Sequence, residues 1–190
     1  MPKLIDYDSH RGAVVGALVE LVAEGGLAAA TLRGVARRSR VSSAALVEGW
    51  GGRDRMLGIA AHHFGRRWHD AMWVRFDSRG LAGLLPRDDD ERGETRFWLA
   101  MCELARSNEY VRSAIEDRRA EEPRMLDVMT GQTWSRPDLE LLRTVLDGLR
   151  HSLCTPGPDM STEQAVHLME TFLGGPRTLA PDRPGTPDGT

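Results

Sequence analysis

Apolar residues recur at three- and four-residue spacing along nearly the whole chain, and no segment alternates apolar with polar over a strand's length. The pattern predicts an all-α protein. A first helix is expected from about Ser9 to Glu24, with Val14, Leu18, Leu21 and Val22 on one face and Gly25-Gly26 as its stop. Leu32, Val35 and Ala36 then mark a short helix behind the N-cap Thr31, and Ser39-Arg40 reads as a turn. Ser42 is a second N-cap preceded by the apolar Val41, and Ala45, Leu46 and Gly49-Trp50 complete another short helix that ends at Gly51-Gly52. Asp54 opens a long helix to about Phe76, with the stripe Leu57, Ala61, Phe64, Trp68 and Met72.

The second half continues in helices. Residues 77–87 hold Gly80, Gly83 and Pro86 and are expected to be a loop with at most a short helix. The carboxylates of Asp88 to Glu91 gather at the start of a helix running to about Ser107, where the macrodipole favours them. A further helix spans about 109–129, with Pro123 expected to kink or divide it. After a break at 132–137, Leu139, Leu142, Val145, Leu146, Leu149 and Leu153 share a helix. Residues 155–159 form a Pro/Gly turn, and Ser161 caps a last helix in an S-x-E arrangement, with Glu163 one residue short of the usual box spacing. The tail from Gly174, rich in Pro and Gly, is expected to be disordered.

Two helices of about two turns joined by a turn of about four residues are the outline of a DNA-binding helix-turn-helix. Residues 31–57, TLRGVARRSRVSSAALVEGWGGRDRML, carry more than the outline. Thr31, Val35, Ala36, Val41, Ser42, Leu46, Trp50, Gly51, Arg53 and Leu57 fall in the order that resembles the DNA-binding end of the TetR family of transcriptional regulators. The resemblance is strong over 9–75 and weaker over 76–173, where Asp147-Gly148-Leu149 again looks like that family. It implies a three-helix DNA-binding domain over 1–53, a helical ligand-binding and dimerisation domain over 54–173, and a tail from 174. It also implies that the last two helices pair with a second copy, through Leu142, Leu146, Leu149, Leu153, Met169 and Phe172.

Within that resemblance, Thr31, Arg33, Arg40, Ser42, Ser43 and Arg53 are expected to hold phosphates of operator DNA, with Ala44, Glu48 and Arg38 near base edges. The reading surface departs from the family. Arg40 replaces the usual turn glycine, Val47 replaces a tyrosine, and Glu48 and Gly49 stand where polar base readers are common. Those departures sustain an alternative: a protein of this fold whose DNA binding has lapsed, kept as a small-molecule binder or as an enzyme of unknown reaction class.

Charge agrees with a basic head on an acidic body. Residues 1–75 hold 11 Lys and Arg against 7 Asp and Glu, while the remainder holds 14 against 21. No apolar run is expected to reach the roughly 20 residues of a membrane span, and the N-terminus lacks a signal-peptide h-region, so a cytoplasmic address is the default. Cys102 and Cys154 show no metal-ligand spacing and read as buried thiols. His62, His63 and His69 lie along one helix without a third-ligand pattern, so neither metal nor cofactor is expected.

Candidate ligand contacts come from the body's aromatic and methionine residues: Trp68, Met72, Phe97, Trp98, Met101, Tyr110, Met125 and Met129 suit an apolar or aromatic small molecule, or simply fill the core. Cys102, Glu103 and His151 are the polar residues suited by type to orient such a ligand.

Overall fold

Six helices begin on side-chain caps, three of them at the residues the sequence marks as caps, Thr31, Ser42 and Ser161. The oxygen of Thr31 accepts from the Gly34 amide at 3.0 Å, Ser42 from Ala45 at 3.1 Å and Asp88 from Glu91 at 2.9 Å. Asn108 accepts from Val111 at 3.1 Å, Ser135 from Asp138 at 3.3 Å and Ser161 from Gln164 at 3.2 Å. Each such cap contributes about 1 kcal/mol to its helix. The computed structural model describes residues 7–155 and 160–174. Among them the helices are α1 (Tyr7–Ala29), α2 (Leu32–Ser39), α3 (Ser43–Trp50), α4 (Arg53–Arg79), α5 (Asp89–Leu104), α6 (Glu109–Met129), α7 (Arg136–Cys154) and α8 (Thr162–Gly174). A 3-10 turn, Gly80–Leu84, joins α4 to α5, and no strand occurs among the described residues.

Several boundaries differ from the sequence expectation for physical reasons. α1 runs on past Gly25-Gly26, but as a kink: Gly26 takes φ 65 and ψ −170, a conformation open to glycine, and a final turn follows. Pro123 sits inside α6 without dividing it, because Ile115 on one side and Met125 and Leu126 on the other are all buried in the same core. The box at α8 is closed by Gln164, whose Oε1 accepts from the Ser161 amide at 2.8 Å, and not by Glu163. The stretch Arg11–Ala29, contrary to expectation, is long and apolar enough by length and composition to cross a membrane, with mean hydropathy 1.6. Its apolar content has an internal use: Val14, Val15, Ala17, Leu18, Leu21 and Val22 are buried where α1 packs between α2 and α5. The expected disordered tail lies outside the described residues beyond Gly174.

The head is α1 to α3 around Val35, Val41, Leu46 and Trp50, all buried. α4 leaves it and forms the spine of the body, with α6 as its main partner. Gly58 permits that approach: a Cβ there would stand 2.8 Å from the Tyr110 carbonyl carbon. Phe64 meets Phe97 edge-on at 4.8 Å between centroids, and Trp68 stacks on Trp98 at 5.0 Å. Arg150, only 1% exposed, crosses this core from α7. Its Nε donates to the Leu84 carbonyl at 3.1 Å, its Nη1 approaches Glu122 at 3.4 Å and Asp147 at 3.6 Å, and its guanidinium lies 4.9 Å from the Trp68 ring centre.

Candidate nucleic-acid interface and body clefts

The turn between α2 and α3 is built as its sequence requires. Arg40 adopts φ 60 and ψ 22, the left-handed conformation for which glycine is the unstrained choice. Val41 turns inward, and Ser42 caps α3 so that its Leu46 and Trp50 anchor the helix in the head while Ser43, Ala44, Val47, Glu48 and Gly49 face outward. Val47 is 53% exposed, a β-branched apolar side chain at the centre of this face. Arg33, Arg37 and Arg40 follow one another at four- and three-residue spacing on the solvent side of α2, forming a cationic stripe beside α3. Arg37 was missed in the sequence reading, although its four-residue spacing from Arg33 was visible there.

Two expected DNA contacts are otherwise engaged. Arg38 folds back on α1, with Nη1 2.7 Å from Glu20 and Nη2 2.7 Å from Glu24. The paired guanidinium holds the Glu24 carboxyl below its usual range. Arg53 donates to the carbonyls of Ala30 at 2.9 Å and Leu27 at 2.8 Å, clasping the last turn of α1 to the start of α4. Thr31 and Ser42 serve as caps and remain exposed, as do Arg33, Arg40, Ser43, Ala44 and Glu48.

The expected ligand residues separate into two groups. Trp68, Met72, Phe97, Trp98, Met101, Met125 and Met129 are buried in the packed core, and none of them lines the surface clefts of the body. Arg150 fills the space beside Trp68 and Met72 that an apolar ligand would need. Tyr110, half exposed, lines a cleft of about 430 Å³ with Gly58, His62 and Arg66 between α4 and α6. Cys102, Glu103 and His151 meet in another, of about 550 Å³, bounded by α1, α5, α6 and α7. It continues into a neighbouring lobe of about 730 Å³ that shares Gly26, Arg96, Cys154 and Thr155. Burial pushes both thiols up, more than the opposing effect of Arg119 on Cys102 and of Arg96 on Cys154, which disfavours a thiolate nucleophile. Among the described residues no group of three or more His, Cys, Asp or Glu could hold a metal ion.

Most of the residues expected at a dimer interface lie inside the single chain. Leu142, Leu146, Leu149, Leu153 and Met169 are buried inside one protomer, where α7 packs on α5, α6 and α8. Phe172 is half-buried, with its ring 6.3 Å from that of Trp134. The apolar side chains left outward on these helices are Leu141, 37% exposed, and Leu168, 48% exposed, with Val145 and Val166 half-buried beside them. The heptad-like leucines of α7 satisfied the first partner they met, the protomer's own core.

A capped helix-turn-helix head joined by one long helix to an all-α body defines the class of architecture. The arrangement is that of TetR-family regulators. A transcriptional regulator from Rhodococcus sp. Rha1 superposes with a TM-score of 0.74 at 20% identity, over 86% of this chain and 94% of that one. A TetR family transcription regulator from Marinobacter aquaeolei VT8 does so with 0.58 at 22% identity, over 87% and 96%. A proposed transcriptional regulator from Saccharomonospora viridis, solved in complex with choline, gives 0.73 at 16% identity, over 86% and 94%. No protein-family model and no curated protein matches the chain.

Proposed function

We propose that this protein is a ligand-responsive transcriptional repressor that binds operator DNA as a homodimer. The observation that carries the reading is the exposed outer face of α3, held by two caps and flanked by Arg33, Arg37 and Arg40. In a helix-turn-helix the second helix enters the major groove and the first crosses the backbone, so the arginine stripe meets phosphates as Ser43, Ala44 and Glu48 reach base edges. Glu48 suits cytosine N4, while Val47 offers an apolar contact of the kind thymine methyl groups accept. Two heads on a pseudo-palindromic site require pairing of bodies, and the exposed Leu141, with half-buried Val145 one turn on, and the exposed Leu168 offer apolar contacts on α7 and α8. The address of such a protein is cytoplasmic.

The test uses the full chain and DNA from upstream of its own gene in a gel-shift assay. The wild type shifts the fragment, whereas an Arg33→Glu, Arg37→Glu double variant of unchanged helicity does not. Equal shifts by both proteins, or by neither, would remove the reading. Leu141→Glu with Leu168→Glu should convert a dimer into a folded monomer by light scattering.

A second reading has its own observation. Arg38 is held at the surface by Glu20 and Glu24, Arg53 is bound to the Ala30 and Leu27 carbonyls, and α3 presents Val47 and Gly49, so the head offers few polar base contacts. In that case the body clefts carry the function and DNA binding has lapsed.

A further inference from the structure

The two joined lobes between α1, α5, α6 and α7 differ from the rest of the body in charge. Their walls hold Arg92, Arg96, Arg119 and His151 against a single carboxylate, Glu103, which stands 3.8 Å from Arg106. Among the described residues Arg96 has no carboxylate within ion-pair distance. The Nε of Arg92 is buried without an acceptor, and its Nη2 reaches only Thr162 Oγ1, at 3.3 Å. The other acids nearby are Asp147 and Glu122, which act on Arg119 but are already drawn to Arg150, and Glu163, which feels Arg92. Among the lining residues three arginines therefore face one carboxylate in a concave, partly desolvated place, where a guanidinium binds an oxyanion strongly. Val22, Leu99, Ala100, Leu153 and Met160 supply the apolar part of the lining, beside the hydroxyls of Ser152, Thr155 and Ser161.

We propose that this cleft binds a small organic carboxylate with an apolar body, its carboxylate on Arg96 and Arg119 and its apolar part along α5 and α1. The site is distinct from the closed aromatic core. Its position gives it a second property, which rests on the regulator reading above. Gly26 lines both lobes and is the kink of α1, and the turn beyond the kink is clasped by Arg53, the first residue of α4. An occupant pressing on Gly26 biases the angle between α1 and the head. A ligand that favours one angle shifts the head's population by its difference in affinity for the two states.

The experiment is calorimetric titration of the full-length protein with octanoate, with octanamide as its uncharged counterpart, and with inorganic phosphate. Octanoate should bind, octanamide and phosphate should each bind at least fivefold more weakly, and Arg96→Gln should erase the preference for octanoate over octanamide. A charge-assisted contact, discounted for partial exposure, supports a ratio of that size. Arg96 is exposed, so this variant should keep the fold, and an Arg119→Gln variant repeats the measurement from the other wall. Octanoate should also slow alkylation of Cys102 and Cys154, which line the same cleft. Equal binding of octanoate and octanamide, no binding of either, or octanoate binding unaffected by both substitutions would overturn the proposal. A DNA gel shift run in parallel separates the two claims. Arg96-dependent octanoate binding by a protein that never binds DNA would leave the site intact and remove the regulator reading. Salt-sensitive DNA binding without any octanoate site would do the reverse.

Discussion

Arg150→Ala tests how the body core is held. The guanidinium is 1% exposed and satisfies the carbonyl of the buried Leu84, while Glu122, 16% exposed on its side chain, depends on it for a partner. An acceptor stripped of its donor in a buried place costs about 1–3 kcal/mol. Breaking a buried ion pair from one side costs about 3–5 kcal/mol. The two overlap, and Asp147, 34% exposed, can rehydrate on its own. The expected loss is therefore about 3 kcal/mol, near the lower end, with a fall in Tm of roughly 6–12 °C for a chain of this size. Urea unfolding followed by circular dichroism would read it, as a lower midpoint at constant slope. The companion variant Arg150→Met with Glu122→Gln removes both charges while keeping the volume beside Trp68, and should recover most of the loss. A cost below about 1 kcal/mol for Arg150→Ala, or a double variant no more stable than the single one, would refute the claim that pairing with Arg150 is what makes the core's charges tolerable.

Three further outcomes follow from the head. Arg53→Gln should lower DNA affinity by the same factor at every salt concentration, since its donors hold Leu27 and Ala30; a salt slope reduced by about 1 would instead show a direct phosphate contact. Arg40→Gly relieves a left-handed residue and should raise head stability by up to about 1 kcal/mol, while weakening DNA binding through the lost charge; a destabilised variant would contradict the strain. The carboxyl of Glu24 is held low by Arg38, so this clasp stabilises the head above the ordinary carboxylate range and is lost as pH falls through the lowered value. Replacing Glu20 and Glu24 together with Gln should abolish that acid dependence and free Arg38, steepening the salt dependence of DNA binding; an unchanged acid limb in the variant would show that the pair does not act this way.

The head was legible in the sequence because its signals are local. Thr31 and Ser42 act within three residues of themselves and each took the cap its chemistry favours, while Arg40 holds the left-handed turn position between the two helices. The site residues of the body were not legible, because helical spacing says which side chains are covered but not what covers them. Leu142, Leu146 and Leu149 look the same in sequence whether the surface they meet is their own α5 and α6 or a second copy. Trp68 and Phe97 look the same in a ligand pocket or a filled core, and what filled it was an arginine 82 positions on from Trp68, Arg150, beyond any local pattern. The partners of the expected phosphate arginines were hidden for a different reason. Arg38 and Arg53 have the right type and spacing for phosphate, but their partners, Glu20, Glu24 and two α1 carbonyls, come from an earlier part of the chain. Cys102, Glu103 and His151 were singled out by chemistry alone and do share one cleft.

Fluorescence anisotropy of the purified full-length protein with labelled upstream DNA, repeated from low to high salt, tests the central claim most directly. The account predicts nanomolar-range binding whose log affinity falls linearly with log salt, with a slope that drops when Arg33 and Arg37 are replaced by Gln. A correctly folded protein that shows no salt-sensitive affinity for that DNA, or one whose slope ignores both arginines, would contradict it.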